Sequence, residues 1–317
     1  MKFFLDLPLE YSLDERINFR QPLLLYGSCF SESIGQLLVS RFFNATINPN
    51  GIVFNPLCIS DILHRVIEKR EYHASDLVNT DGLWHSWFHH GSFSAESKDE
   101  VLSISNRKMR EALKIITSKS PVLVFTFGTA YSWKHKKSES RVVNCHKISG
   151  IEFEKCFDSP DIISKIWIEL IGRLRVINPE IRFIFSVSPV RYIRDGIQGN
   201  ARSKASLITA VHDICDKTGS TYFPAYELVT DVLRDYRFYK DDLVHPNEMA
   251  VRFVWEKFSQ SIFDVETRGV LSDIERFIPL SQHRPLHPFK LKEHLEAVSR
   301  QRESLQNKYP ELNWGSH

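Results

Sequence analysis

The fold is announced by Leu23–Leu24–Leu25–Tyr26–Gly27–Ser28–Cys29–Phe30–Ser31–Glu32–Ser33–Ile34–Gly35. The apolar run is short enough to be a buried parallel strand, and it ends at a glycine. Two candidate nucleophiles, Ser28 and Cys29, follow at once. A helical pattern then begins, with Ile34, Leu37, Leu38 and Phe42 on one face of a 3.6-residue period. Strand, sharp turn, nucleophile and helix is the order used by enzymes that present a reactive side chain at the carboxyl edge of a sheet. Amides at the start of that helix favour an anion and lower the pKa of a thiol placed there. The same stretch also reads as an ordinary opening βα unit with a tight turn.

The strand-then-helix grammar repeats downstream. Residues 121–127 read as a second buried strand ending at Gly128–Thr129–Ala130, and 181–187 as a third ending at Ser188–Pro189–Val190–Arg191. Residues 221–223 read as a short strand. Helices are expected from Pro56, over 98–118, from Ser159 toward Asn178, over 201–218 and from Pro246. Asn48–Pro49–Asn50–Gly51 lies in a loop where two Asn-Pro pairs bracket a glycine, which predicts a rigid turn exposing backbone amides. Residues 192–200, with Asp195, Gly196 and Gly199, read as a lid loop. Residues 69–95 read as a hairpin excursion about Asp81–Gly82, its histidines (His85, His89, His90) packed against aromatics. Residues 141–147 read as an outer strand that points Cys145 and His146 to opposite faces.

Residues 1–20 read as an irregular lead-in packed on the sheet edge, and 281–317 as a linker and an amphipathic helix that caps the fold. Five βα-like units over 22–265 predict an α/β domain (1–280) with a mainly parallel five-stranded sheet and helices on both faces.

The 317 residues are 42% hydrophobic and 25% charged, ordinary globular composition. A net charge of +2 gives no reason to expect nucleic acid, and Lys134–His135–Lys136–Lys137 reads as a solvated loop. Met1–Lys2–Phe3–Phe4–Leu5–Asp6 lacks the apolar core of a secretory signal. No run approaches the ~18 apolar residues of a membrane span. The expectation is a soluble, cytoplasmic protein with no membrane partner. The five cysteines, at 29, 58, 145, 156 and 215, are widely spaced and without a Cys-x-x-Cys pair, arguing against disulfides or a zinc site.

Asp242-x-x-His245, just before Pro246, is the remaining chemical signal. At a helix entrance this spacing lets the carboxylate hold one imidazole nitrogen while the other points away, as in an oriented general base. Taken together, Gly27–Ser28–Cys29–Phe30, Asn48–Pro49–Asn50–Gly51, Thr126–Phe127–Gly128–Thr129–Ala130, Asn144–Cys145–His146–Lys147, Ser188–Pro189–Val190–Arg191 and Arg234–Asp235–Tyr236–Arg237–Phe238–Tyr239 through His245–Pro246 resemble the GSCFA domain family over roughly residues 20–260. That family is grouped with the SGNH (GDSL-type) hydrolases, so the resemblance implies a three-layer α/β/α fold.

It also implies roles. Gly27–Ser28–Cys29 stands where SGNH enzymes carry Gly-Asp-Ser, which makes Cys29 the nucleophile, His245 the base and Asp242 its orienting acid. Gly51 matches the second-block glycine, whose amide joins that of Cys29 in an oxyanion hole. The third block, Gly-x-Asn in those enzymes, is Gly128–Thr129–Ala130 here, leaving the Thr129 hydroxyl as the substitute donor. Ser28 is the less favoured nucleophile, and Asn50 and His146 are candidate substrate contacts. Arg191 either binds an anionic group or pairs with Asp195 or another loop acid. Certain capsule-polysaccharide acetyltransferases of similar fold carry Gly-Asn-Cys at the same point, so a cysteine suits transfer through a thioester as well as hydrolysis. The function expected is an acyl-ester hydrolase or acyltransferase, with a small-molecule or carbohydrate O-acyl substrate and no metal or resident cofactor. One alternative is an acyl-CoA-dependent polysaccharide acetyltransferase; another is a non-catalytic glycan- or acyl-binding module.

Overall fold

A strand with apolar residues at successive positions is stable only if both of its faces are covered, and β1 (Leu23–Gly27) is buried along its whole length. A computed structural model describes residues 16–314; the Met1–Asp6 reading and the rest of the lead-in through 15 lie outside the described residues. After β1 come α1 (Cys29–Ser40), β2 (Ala45–Ile47) and α2 (Pro56–Ile67). The excursion forms β3 (Leu77–Thr80) and β4 (Leu83–Ser86), an antiparallel hairpin across Asp81 and Gly82, both at positive φ. Then follow α3 (Lys98–Ile116) and β5 (Val122–Phe127). Next are β6 (Tyr131–His135), β7 (Arg141–Val142) and β8 (Phe153–Phe157). The chain continues through α4 (Pro160–Ile177), β9 (Arg182–Val187), α5 (Gly196–Thr218) and β10 (Thr221–Tyr222). A short α6 (Ala225–Glu227) runs into a π-helical turn at Leu228–Leu233. The last helices are α7 (Glu248–Ile262), α8 (Val265–Gln282) and α9 (Leu291–Lys308).

The central sheet is parallel throughout, in the order β10-β9-β5-β1-β2. Alternate residues serve opposite faces, as the strand period of two requires. Leu24, Tyr26, Leu123, Phe125, Phe183 and Phe185 pack with residues of α2, α3, α4 and α5; Leu23, Leu25, Val122, Val124 and Ile184 pack with α1, α7 and α8. This is the three-layer α/β architecture that the strand pattern predicts. Phe125 sits at the centre, with ring centroids 4.6 Å from Trp167 and 5.4 Å from Phe185. Because every strand runs the same way, the loops after Gly27, Ile47, Phe127, Val187 and Tyr222 gather at one edge.

Helix starts are chemically specified. Asn55 accepts from the amides of Leu57 and Cys58 ahead of Pro56, Ser159 caps Ile162 beside Pro160, and Asn247 caps Ala250. The structure departs from the sequence reading at several places. Only Arg141–Val142 of the expected outer strand 141–147 is extended, because His146 and Lys147 adopt positive φ (48° and 61°) and turn the chain. In its place β7-β6-β8 form a separate antiparallel sheet. Helix α5 begins at Gly196 rather than at 201 and takes up much of the expected lid loop. Helix α8, not anticipated, runs to Gln282 and so across residue 280. Near the end of the described residues the Asn313 amide donates to the Phe42 carbonyl at 3.0 Å and the Trp314 ring lies 4.2 Å from that of Phe42. Among the described residues no helix is long and apolar enough to cross a membrane.

Candidate active site

At the end of β1, Gly27 has φ 155°, and a Cβ there would stand 2.5 Å from the Thr126 carbonyl oxygen on β5. Only glycine lets the two strands approach so closely while the chain turns. Ser28 follows as the N-cap of α1. Its hydroxyl accepts from the Phe30 amide at 3.2 Å and donates to Ser188 Oγ at 2.9 Å, so it is spent on the turn and on the neighbouring loop. Cys29, half-buried, is the first residue of the helix. Burial pushes its thiol up, with Glu32 adding to the effect. Its own backbone amide and Lys240 act the other way. The helix start therefore works in the expected direction, and desolvation outweighs it.

Asp242 and His245 form the pair that their spacing predicts. His245 Nδ1 lies 2.7 Å from Asp242 Oδ2, and Asp242 Oδ1 accepts the amides of Val244 (2.9 Å) and His245 (3.0 Å). Those backbone donors, with the imidazole, hold the Asp242 carboxyl down at about 2. A carboxylate so held fixes the Nδ1–H tautomer and leaves Nε2 as the basic atom. The loop is tied to the rest of the edge through Arg191, whose amide donates to the Val244 carbonyl at 3.3 Å and whose guanidinium donates to Leu243 O at 3.2 Å. Arg191 in turn stands three residues after Ser188, the partner of Ser28. One short chain of contacts thus joins the Ser28–Cys29 turn to the imidazole loop. Among the described residues Cys29 Sγ makes no hydrogen bond to His245.

Several expected oxyanion donors already have acceptors. The Gly51 amide donates to the Asn48 carbonyl at 2.7 Å, and its φ of +73° holds that tight turn. The Gly128 amide donates to Phe54 O at 2.7 Å, and Thr129 Oγ1 lies 3.2 Å from Ser203 Oγ. Asn50 is buried, its side-chain nitrogen 3.1 Å from the Tyr72 hydroxyl and 3.0 Å from His89 Nε2. His146 is turned to the hairpin, with Nε2 2.8 Å from the Ser86 carbonyl and its ring stacked on His85 at 4.6 Å. Asn48 Nδ2, buried beside the same turn, has no hydrogen-bond partner among the described residues, and the Cys29 amide faces its own thiol. Asn48 Oδ1 takes the Gly27 amide at 2.9 Å, which fixes the orientation of its side chain.

The excursion histidines are used locally. His89 packs 4.7 Å from Tyr72 and 4.6 Å from Phe93, its Nδ1 is 2.8 Å from Ser86 Oγ, and burial drives it down to about 3. Among the described residues no group of His, Cys, Asp and Glu is arranged to hold a metal ion. An open polar depression lined by Lys134, Glu139, Arg141 and Cys156 lies on the three-stranded sheet and contains none of the site residues.

One residue of this edge escaped the sequence reading. Lys204 on α5 is 2% exposed, and its Nζ donates to the carbonyls of Gly128 and Ser188, each at 2.7 Å. Burial pushes it down to about 7. The available signal was its spacing: Lys204 shares the apolar stripe of Leu207, Val211 and Ile214.

Fold and edge define an α/β protein that carries a cysteine turn and an aspartate-held imidazole on the carboxyl side of a parallel sheet. The chain belongs to the GSCFA family, whose profile matches residues 22–258 and so spans every residue from Cys29 to His245. No curated protein matches the chain.

Proposed function

We propose that this protein cleaves or transfers an acyl group in the manner of SGNH enzymes, with Cys29 as nucleophile, His245 as general base and Asp242 as its orienting acid. The observation that carries this reading is the Asp242–His245 pair at 2.7 Å, on a loop hydrogen-bonded to the segment that holds the Ser28–Cys29 turn. The raised thiol pKa means that Cys29 rests as a thiol, so its proton must leave during attack. His245 Nε2 takes that proton as the Sγ–C bond forms, and returns it to the departing alkoxide as the ester C–O bond breaks. Water, or an acceptor hydroxyl in a transferase, then gives a proton to Nε2 and attacks the thioester, and Cys29 regains its proton on leaving. The Cys29–His245 contact tightens in the substrate complex, as catalytic hydrogen bonds do. The Cys29 amide and Asn48 Nδ2 are the donors proposed for the oxyanion, each such donor being worth about 3–4 kcal/mol in systems where one has been removed. Carbohydrate O-acyl groups are the substrate class proposed, with acyl-CoA as donor in a transferase.

Incubation with acetyl-CoA and with 4-nitrophenyl acetate, read by intact and peptide mass spectrometry, tests the reading. An acyl adduct on Cys29 is expected, lost in Cys29→Ala and strongly slowed in His245→Ala. Wild-type protein that forms no adduct and turns over neither compound would sink it.

A second reading, a non-catalytic glycan- or acyl-binding module, draws on the Gly51 and Gly128 amides, which are already occupied. It predicts saturable glycan binding that Cys29→Ala leaves intact, with no adduct.

A further inference from the structure

From the sequence Arg191 has two readings, an anion ligand or a partner of Asp195 or another loop acid. Asp195 is paired with Lys155. Among the described residues no carboxylate pairs with Arg191. Its guanidinium is nonetheless held in place, 4.4 Å from the ring centroid of Tyr239, 5.2 Å from that of Tyr236, and on the Leu243 carbonyl. A guanidinium stacked on aromatic faces presents its edge, where the N–H fork matches a carboxylate or phosphate.

Tyr239 adds an independent observation. It is 7% exposed, and its hydroxyl has no hydrogen-bond partner. Burial raises that hydroxyl's pKa, while the charge and close approach of the Arg191 guanidinium lower it, so the hydroxyl and the guanidinium edge stand side by side without a well-formed hydrogen bond between them. Buried hydroxyls rarely go unpaired in native proteins, and one beside an unpaired cation is a place for a ligand oxygen. The acids nearby are engaged: Asp242 with the Val244 and His245 amides and the imidazole, Asp235 with Arg237. Lys240, exposed on the same loop, adds a second positive charge that reaches Cys29.

We infer that the substrate carries an oxyanionic group, a carboxylate or a phosphate, and that the Arg191 guanidinium and the Tyr239 hydroxyl receive it beside His245. This deepens the acyl-transfer reading and rests on it; the anion site itself stands on the geometry.

Titration calorimetry of the Cys29→Ala protein with inorganic phosphate, and separately with succinate, reads the site without turnover. Saturable binding of at least one anion is expected, and the arm that binds more tightly tells phosphate from carboxylate. Arg191→Gln should weaken it about tenfold or more, the scale of one lost charge-assisted contact, with partial recovery in Arg191→Lys. Tyr239→Phe, which keeps the ring under Arg191, should weaken it several-fold and carries the test if Arg191→Gln fails to fold. Absence of binding by the Cys29→Ala protein, or binding undiminished by either substitution, overturns the inference. Anion binding through Arg191 in a protein that forms no Cys29 adduct would instead overturn the catalytic reading and leave the anion site standing.

Discussion

Lys204 Nζ lies 2.7 Å from the carbonyl oxygen of Ser188, the residue whose hydroxyl accepts from Ser28. With its second bond to Gly128, the amine clamps the ends of two adjacent strands beneath the site. Two carbonyl acceptors match the two hydrogens of a neutral amine, in keeping with a pKa pushed down to about 7.

Stability should therefore depend on this lysine in a definite direction. Above pH ~7 the folded amine is neutral, while the unfolded side chain keeps its proton to pH ~10.4. In that window the unfolded state binds more protons, so the unfolding free energy rises with pH, by at most ~1.4 kcal/mol per unit. Urea unfolding of the wild type between pH 7 and 9.5 should show the rise. Lys204→Met should lose that slope and, by leaving two buried carbonyls without donors, cost ~1–3 kcal/mol for each. An unchanged slope in Lys204→Met would show that the amine is charged in the fold.

Acid should act through His89. Its imidazole is buried and neutral, held down to about 3, whereas an unfolded histidine protonates near pH ~6.5. Between those values the unfolded chain takes up a proton that the fold refuses, so stability falls as the pH drops, by up to ~4–5 kcal/mol in all. His146, held down to about 4, adds to the loss. His89→Gln cannot take up the proton, and its stability should fall less steeply below pH 6 than that of the wild type.

Gly51→Ala should disrupt the loop beside the Ser28–Cys29 turn. The new Cβ would stand 2.4 Å from His90 Cβ, at a φ of +73°. A cost above ~1–2 kcal/mol is expected, visible as a lower melting temperature. Gly82→Ala is the control, since its φ of +79° brings backbone strain while nothing lies within 4 Å of the added atom. Equal losses in the two variants would mean that the His90 contact carries no weight.

Alkylation by iodoacetamide should report the resting state of Cys29. Because burial raises its thiol, the rate at pH 7 should fall below that of free cysteine and still climb above pH 9. A plateau below pH 8 would mean a preformed thiolate.

Asp242→Asn should slow acylation of Cys29 about a hundredfold, through loss of the carboxylate that orients the Nδ1–H tautomer. Adduct formation against time, at fixed acetyl-CoA, gives the ratio. No change would remove Asp242 from the mechanism.

The sheet was legible because its strands are uninterrupted apolar runs ending at Gly27, Gly128 and Ser188, a pattern that demands cover on both faces. Asp242 and His245 were legible because their spacing alone brings carboxylate to imidazole. The three-stranded sheet was not: Tyr131–His135 and Phe153–Phe157 mix charge with aromatics, and the positive φ of His146 has no signature in an otherwise strand-like run. The engagement of the Gly51 amide was not legible for a related reason. Whether the Gly51 amide is free depends on how tightly its turn closes onto Asn48, which residue type does not encode.

Phe42, near the far end of the helix that Cys29 begins, is covered by Asn313 and Trp314. During synthesis every group from Cys29 to His245 leaves the ribosome before that cover exists. The foot of α1 must wait, its aromatic face open, until the chain's last described residues arrive. Contacts of such separation slow folding and lengthen the exposure of apolar surface. Maturation of the site should therefore be a late and chaperone-sensitive event, set by a segment that lies outside the family match.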